Sequence, residues 1–257
     1  MPALPAVLEA ADAQTTLPRL GGMARPHGVV VVSERYWAFA GRDGTLREGT
    51  MPTPRAERIP LLRGLAKLAA ALSPLFRGGG VARRRERHVL AAAMVAPLGF
   101  VVLPMTVALA AWGAVTVFLL AWLFRGGTLR LHGAEHRAIA AAEERRLAAT
   151  WSGDARPSRF SLRCGTNFAA LVIPMTLLAD LVWPFPPALY TPLVVAVLSL
   201  ALTMELWRVV QASGGRLAHA LLLPGLALQR LTTREPSVEE TRVALTAVAS
   251  VLRRELA

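Results

Sequence analysis

His132 and His136 stand four residues apart in LRLHGAEHRAIAAAEERRL, residues 129–147, with Glu135 between them in the order HxxEH. On a helix this spacing puts both imidazoles on one face, about 6 Å apart at Cβ, which suits bidentate metal binding. The order matches the inverted zinc-protease arrangement, in which two His hold a divalent transition metal, most simply zinc, and the Glu is the base. Neutral imidazole binds zinc without cancelling its charge, the ion brings coordinated water toward a pKa of about 7, and a neighbouring carboxylate accepts the proton. In a chain of this length HxxEH arises by chance on the order of once in a hundred. The competing reading is a solvated surface helix, as Glu143, Glu144, Arg145 and Arg146 just downstream would suggest.

Two His and a Glu still lack a third metal ligand, and His27, Cys164, Glu205 and Glu143 or Glu144 are the residues able to supply it. Cys164 lies in SLRCGTNF beside Arg163, a neighbour that would favour the thiolate, although a small buried hydrophobe is the plainer reading. It is the one cysteine, so no intrachain disulfide forms. Asp180 and Glu205 fall within or beside apolar stretches, where an unpaired charge costs several kcal/mol, so each should find a partner. Glu205 is placed to reach the HxxEH site and Asp180 is not.

The elements around these residues are dominated by apolar sequence. Hydrophobic residues make up 54% of the 257 and charged residues 18%, and the mean hydropathy is +0.43, which argues against an ordinary soluble or disordered chain. No charge occurs from Val89 to Phe124; drawn as one helix this would reach about 54 Å, against a hydrocarbon core of roughly 30 Å. Pro97, Gly99 and Pro104 near its middle predict two short spans, 89–103 and 105–124. A second apolar stretch, 168–207, is interrupted by the proline-rich WPFPPALYTP and predicts another hairpin. The expected architecture is a mainly α, multi-pass membrane protein with about four transmembrane helices as two hairpins.

The net charge of +12 fits that reading: 14 Lys and Arg precede Val89, eight lie in 125–167 and seven follow Trp207, with none at either hairpin tip. By the positive-inside rule both termini and the central loop are cytoplasmic, with only two short turns outside. Basic residues are not interleaved with stacking aromatics, so membrane lipids rather than nucleic acid are the expected partners. Residues 1–20 have no basic start or long apolar core and read as a disordered tail, not a signal peptide. Within 21–88, GVVVVSERYWAFAGRDGTLREG predicts a small β-hairpin turning at Asp43 and Gly44, and IPLLRGLAKLAAALSPLF predicts an amphipathic helix with Arg63 and Lys67 on a shared side. RGGGVARRRER, 77–87, reads as linker and topology anchor. The central loop, 125–167, carries the HxxEH helix. Residues 208–257 form a cytoplasmic helical segment in which Thr232 or Thr233 would cap a final helix, 238–256.

LHGAEHRAI at 131–139, RCGTNF at 163–168 and PGLALQRLTTREP at 224–236 resemble the signature blocks of the YqhQ-like bacterial membrane proteins, the domain of unknown function 1385. The likeness runs from about Gly21 to Leu252 and includes PLLRG at 60–64 and Glu205. It implies a multi-pass membrane protein and a metal-dependent enzyme of no stated substrate. Two departures remove metal-competent side chains: GGMARPHGVVVV has His27 where the family has Glu, and SLRCGT has Ser161 where the family has His. If those positions face one pocket, His27 replaces a missing ligand and keeps the count; otherwise the site is weakened or altered.

Together these readings point to metal-assisted hydrolysis at the cytoplasmic membrane face, with Glu135 as base and His132, His136 and one or more of His27, Cys164 and Glu205 as ligands. A peptide substrate follows only by analogy with HxxEH peptidases, and a lipid or isoprenoid fits the location as well. The alternative is a non-enzymatic scaffold or assembly factor with a structural or degenerate metal site. Ion transport would need more intramembrane polar residues than Asp180 and Glu205 provide.

Overall fold

The computed structural model describes residues 3–54, 56, 58–76, 81–100, 103–125, 127–185, 190–213 and 215–257. The order is α1 (Leu4–Asp12), β1 (Gly21–Arg25), β2 (Gly28–Val32), β3 (Tyr36–Gly41), β4 (Leu46–Thr50), α2 (Leu62–Phe76), α3 (Arg84–Gly99), α4 (Met105–Leu123), α5 (Thr128–Glu143), α6 (Leu147–Ser152), α7 (Gly165–Leu181), α8 (Thr191–Ala212), α9 (Arg216–Thr232) and α10 (Val238–Glu255).

The expected N-terminal hairpin is half of what forms. Four strands make an antiparallel meander in the order β1-β2-β3-β4. The Asp43–Gly44 turn is present, with Gly44 at φ 81°, but Gly21–Arg25 adds an edge strand on β2. GGMAR contains no β-branched or aromatic residue, so nothing in its own sequence marked it as a strand. Alternation splits the sheet into two buried faces. Val29, Val31, Ala38 and Ala40 pack with α5 and α10, while Val30, Trp37 and Phe39 meet Leu75, Val81 and Ala82.

The segment expected to be a disordered tail is also structured. Leu4, Val7, Leu8 and Ala11 follow helical spacing and pack into the main core, with Leu8 and Ala11 fully buried. Asp12 then receives the Leu147 and Ala148 amides of α6, each at 2.9 Å, satisfying two free donors at a helix start. The last helix is capped by Ser237, not by Thr232 or Thr233. Ser237 and Glu240 form a reciprocal capping box, and Arg253 and Arg254 sit in the last turn.

The four-span expectation is overturned. Among the described residues one helix, Thr191–Ala212, is long and apolar enough to cross a membrane, with a mean hydropathy of 2.0. The molecule is otherwise mostly helical (64%) around its small sheet. A count of uncharged residues does not see where helices begin and break. The first predicted span starts inside α3, whose opening turns carry Arg84, Arg85, Glu86 and Arg87. What remains from Val89 to Gly99 rises only about 16 Å. The other apolar helices are short, Thr106–Trp122 and Gly165–Leu181. Pro186 and Pro187, at the expected tip of the second hairpin, and the glycines of 77–80 lie outside the described residues.

Candidate metal centre

The HxxEH helix is α5, buried along most of its length between the sheet and α10. It is not a solvated face: Glu135 is 5% and His136 2% exposed. Gly133 sits under the backbone of Arg234, where any Cβ would collide with the Arg234 carbonyl. This close approach lays the LTTREP segment along α5, and the Arg234 amide donates to the Leu129 carbonyl at 2.9 Å.

The docked segment orients the first imidazole. His132 Nδ1 lies 2.8 Å from the Thr232 carbonyl, and His136 Nδ1 lies 2.7 Å from the Arg159 carbonyl. A carbonyl only accepts, so Nδ1 carries the proton in both rings and each Nε2 keeps its lone pair. Both Nε2 lone pairs are therefore available to a cation. A second-sphere acceptor that fixes the tautomer in this way is what metal-binding His residues usually have. His132 Nε2 is 3.3 Å from Cys164 Sγ, whereas His136 Nε2 is buried with no hydrogen-bond partner.

Cys164 reaches the pair as the N-cap of α7, its sulfur accepting from the Thr166 amide at 3.4 Å. A polar clasp holds the turn before it. Fully buried Gln229 accepts from the Ser161 amide at 2.9 Å and donates to the Ser161 carbonyl at 2.7 Å and to Asn167 Oδ1 at 3.1 Å. Asn167 in turn donates to the Ser161 and Leu162 carbonyls. The result is a group of three donors, from His132, His136 and Cys164, all within 4.8 Å of one another, which could hold a metal ion.

Glu135 stands beside this group rather than in it, lining the same cavity of about 620 Å³. Its carboxylate accepts a backbone hydrogen bond from Ala24 on the free edge of β1. Gly22, one pleat along, leaves room for it, since a Cβ there would lie 2.6 Å from the Glu135 carboxylate.

Burial sets the protonation of all four groups. It pushes the Glu135 carboxyl up to about 8, against the Ala24 hydrogen bond. His132 is lowered by burial, and His136 falls to about 4 through burial and then through the nearby His132. Burial raises the Cys164 thiol to about 11. Arg163 does not make it a thiolate, because its guanidinium turns away to Glu143. The donor set fits a borderline-soft cation: two neutral imidazoles and a sulfur, with one lone pair otherwise orphaned.

The other sequence candidates lie elsewhere. His27 occupies the β1–β2 turn on the opposite face of the sheet, against Phe39 at 5.2 Å and 3.8 Å from Glu86. It does not replace a missing ligand at the cluster, because strand alternation sends Gly22 and Ala24 to the α5 face and the turn beyond Arg25 away from it. Glu205 accepts from the Leu61 amide at 3.2 Å and from Arg63 at 2.8 Å, anchoring α2 on α8. Glu143 and Glu144 pair with Arg163 and Arg146.

The family model described as "Protein of unknown function (DUF1385)" matches residues 127–254. The chain belongs to this family. The match runs from the start of α5 through α10 and so takes in His132, Glu135, His136, Cys164 and the Gln229 clasp. Comparison with curated proteins and with solved structures gives no match. Three contributors to the site were not assigned from sequence: the Thr232 and Arg159 carbonyls, the Gln229–Asn167 clasp, and Gly22. Backbone carbonyls carry no side-chain signal at all. Gln229 and Asn167 lay within the quoted family blocks, but only their contact across 62 residues gives them a role.

Proposed function

We propose that this DUF1385 protein is a metal-dependent hydrolase, with zinc held by His132, His136 and Cys164 and with Glu135 as general base. The observation that carries this reading is the buried, unpartnered Nε2 of His136, facing a second imidazole whose Nδ1 is likewise tied to a backbone carbonyl. Three protein donors leave an open position, the pattern of catalytic rather than structural zinc sites. Zinc there would supply Lewis acidity for hydrolysis. The Thr232 and Arg159 carbonyls hold the rings in the binding tautomer. Glu135, outside the three donors but in their cavity, is neutral below its raised value of about 8; ionised, as a cation held beside it would favour, it takes the proton of the attacking water at a carboxylate oxygen and returns it to the leaving group.

The reading places the chain at a bacterial cytoplasmic membrane, with lipids and not nucleic acid as neighbours. Support comes from Thr191–Ala212 and from exposed apolar side chains on other helices, such as Val117 and Phe118 of α4 and Leu177 and Leu181 of α7. Because α1 and α10 share one core, both termini belong to one side, and the clustered Arg residues favour the cytoplasm.

The test is metal content of the purified full chain. About one equivalent of zinc is expected, lost in His132→Ala with His136→Ala and retained in Glu135→Gln. Zinc bound equally by wild type and the double variant, or by neither, overturns the reading. One observation favours a scaffold with a structural ion: the Ala24–Glu135 hydrogen bond ties β1 to α5. In that case stripping zinc lowers the melting temperature of the whole body by many degrees, and Glu135→Gln does so as well; under the hydrolase reading Glu135→Gln melts close to wild type.

A further inference from the structure

A second cavity, of about 770 Å³, adjoins the first. The two share His136, Ile139, Ser161 and Arg163 as common walls, so His136 stands at their shared boundary. Their chemistry is opposite. The metal-centre cavity is walled by Leu120 of α4 and Phe124 just after it, Ala169 of α7, and Leu228 and Leu231 of α9. The second is lined by five cationic side chains, Arg19, Arg63, Lys67, Arg163 and Arg208, against three carboxylates, Glu143, Glu144 and Glu205.

The carboxylates do not neutralise this lining. Glu205 is shared by Arg63 at 2.5 Å and Arg208 at 3.2 Å, Glu143 binds Arg163, and Glu144 turns to Arg146 outside the cavity. Arg19 and Lys67 have no ion-pair partner among the described residues. Two uncompensated cations facing one concavity attract an anion, and Arg and Lys together suit the tetrahedral oxygens of a phosphate. Both volumes lie within the range of about 300–1,000 Å³ usual for small-molecule sites.

We propose that the paired cavities bind one amphiphile, a phosphate monoester of a long alkyl or isoprenyl chain. The phosphate sits between Arg19 and Lys67, and the chain runs past His136 into the apolar cavity. The tail has a lateral route, because α4 and α9, which wall that cavity, also present Val117, Phe118, Leu217 and Leu223 on the molecular surface. This names a substrate class for the hydrolase reading and rests on it only for the claim that the ligand reacts. Binding itself needs no metal.

The experiment is calorimetric titration of the full chain, stripped with chelator and held in a neutral maltoside detergent, with dodecyl phosphate, inorganic phosphate and dodecanol. Saturable dodecyl phosphate binding is expected, weakened tenfold or more by Arg19→Ala with Lys67→Ala. Both side chains are exposed, so the fold is not at risk. Ala169→Trp, which fills the apolar cavity, should weaken dodecyl phosphate and leave the much weaker inorganic phosphate signal unchanged. The proposal fails if dodecyl phosphate does not saturate, if dodecanol binds as tightly, or if the double variant binds like wild type. Inorganic phosphate binding as tightly as dodecyl phosphate also overturns it, in favour of a soluble-anion site. Lipid-phosphate binding by a chain that never carries zinc would remove the hydrolase reading and leave this one standing.

Discussion

Helices α10 and α7 are nearly equal in length, 18 and 17 residues, yet ten residues of α10 are buried and only three of α7. The less apolar helix is the better buried. α10 carries Glu239, Glu240, Arg253 and Arg254 at its ends and a stripe of Ala, Val and Leu between, which packs on the sheet and α5. α7 is mostly apolar after its first turn and leaves Ile173, Leu177, Leu178 and Leu181 exposed, Leu181 at 83%. Apolar content therefore does not measure protein burial here. One part of the molecule hides its apolar surface against itself, and the other presents it outward, as a surface meant for something other than water does. The candidate metal centre lies on the seam between them, with α5 supplying His132, Glu135 and His136 and the start of α7 supplying Cys164.

The contrast predicts unequal costs for equal truncations. Leu245→Ala, at a fully buried position of α10, should destabilise the body by about 2–5 kcal/mol in denaturant titration. Leu181→Ala should change it by less than about 0.5 kcal/mol. Similar losses at the two sites would erase the distinction between the regions.

At the seam, Gln229→Ala leaves the Ser161 amide and Asn167 Oδ1 without their Gln229 partner and should cost about 1–3 kcal/mol. It should also weaken zinc retention, because Cys164 loses the turn that presents it. Unchanged metal content in a destabilised variant would separate the clasp from the site. Asp12→Ala, within the body and far from the ligands, should cost about 1 kcal/mol through the lost cap on α6 and leave metal binding alone.

The smallest effect is a pH dependence. Glu86 is buried, which raises its pKa, but hydrogen bonding and charge from Arg25 and the Arg83 amide outweigh burial and hold it below the ordinary 4.5. A carboxylate whose folded value is depressed stabilises the fold above 4.5, and that contribution disappears as the pH falls through the lower folded value. Glu86→Gln should therefore flatten the acid limb of the stability curve below about pH 4.5 and leave its shape at neutral pH unchanged. A steeper acid limb in the variant would contradict the assignment.

The spacing of His132, Glu135 and His136 on one helix face was legible directly, since three and four residues along a helix are neighbours wherever the helix sits. So were the β3–β4 turn at Gly44, the amphipathic helix before residue 76 and the breaks near Pro104. Composition also marked the apolar helices, but not their number as spans, because hydropathy adds up residues without knowing that α3 begins with four charges or that α7 stops at Leu181. The N-terminal helix was hidden for a related reason: Leu8 and Ala11 look unremarkable until α6 and α10 are present to cover them.

Local periodicity and side-chain chemistry are properties of neighbours along the chain, and the sequence alone determined those: two imidazoles and a carboxylate on one face, a lone thiol, an excess of basic residues outside the apolar stretches and an apolar remainder. Which distant residue joins the imidazoles is a question of pleat and docking. Strand alternation turned His27 to the far side of the sheet, Arg63 and the Leu61 amide claimed Glu205, and the Gln229 clasp delivered Cys164. Only the tertiary structure could decide among them, because each choice depends on contacts between segments tens of residues apart, and such contacts leave no mark in the order of the residues themselves.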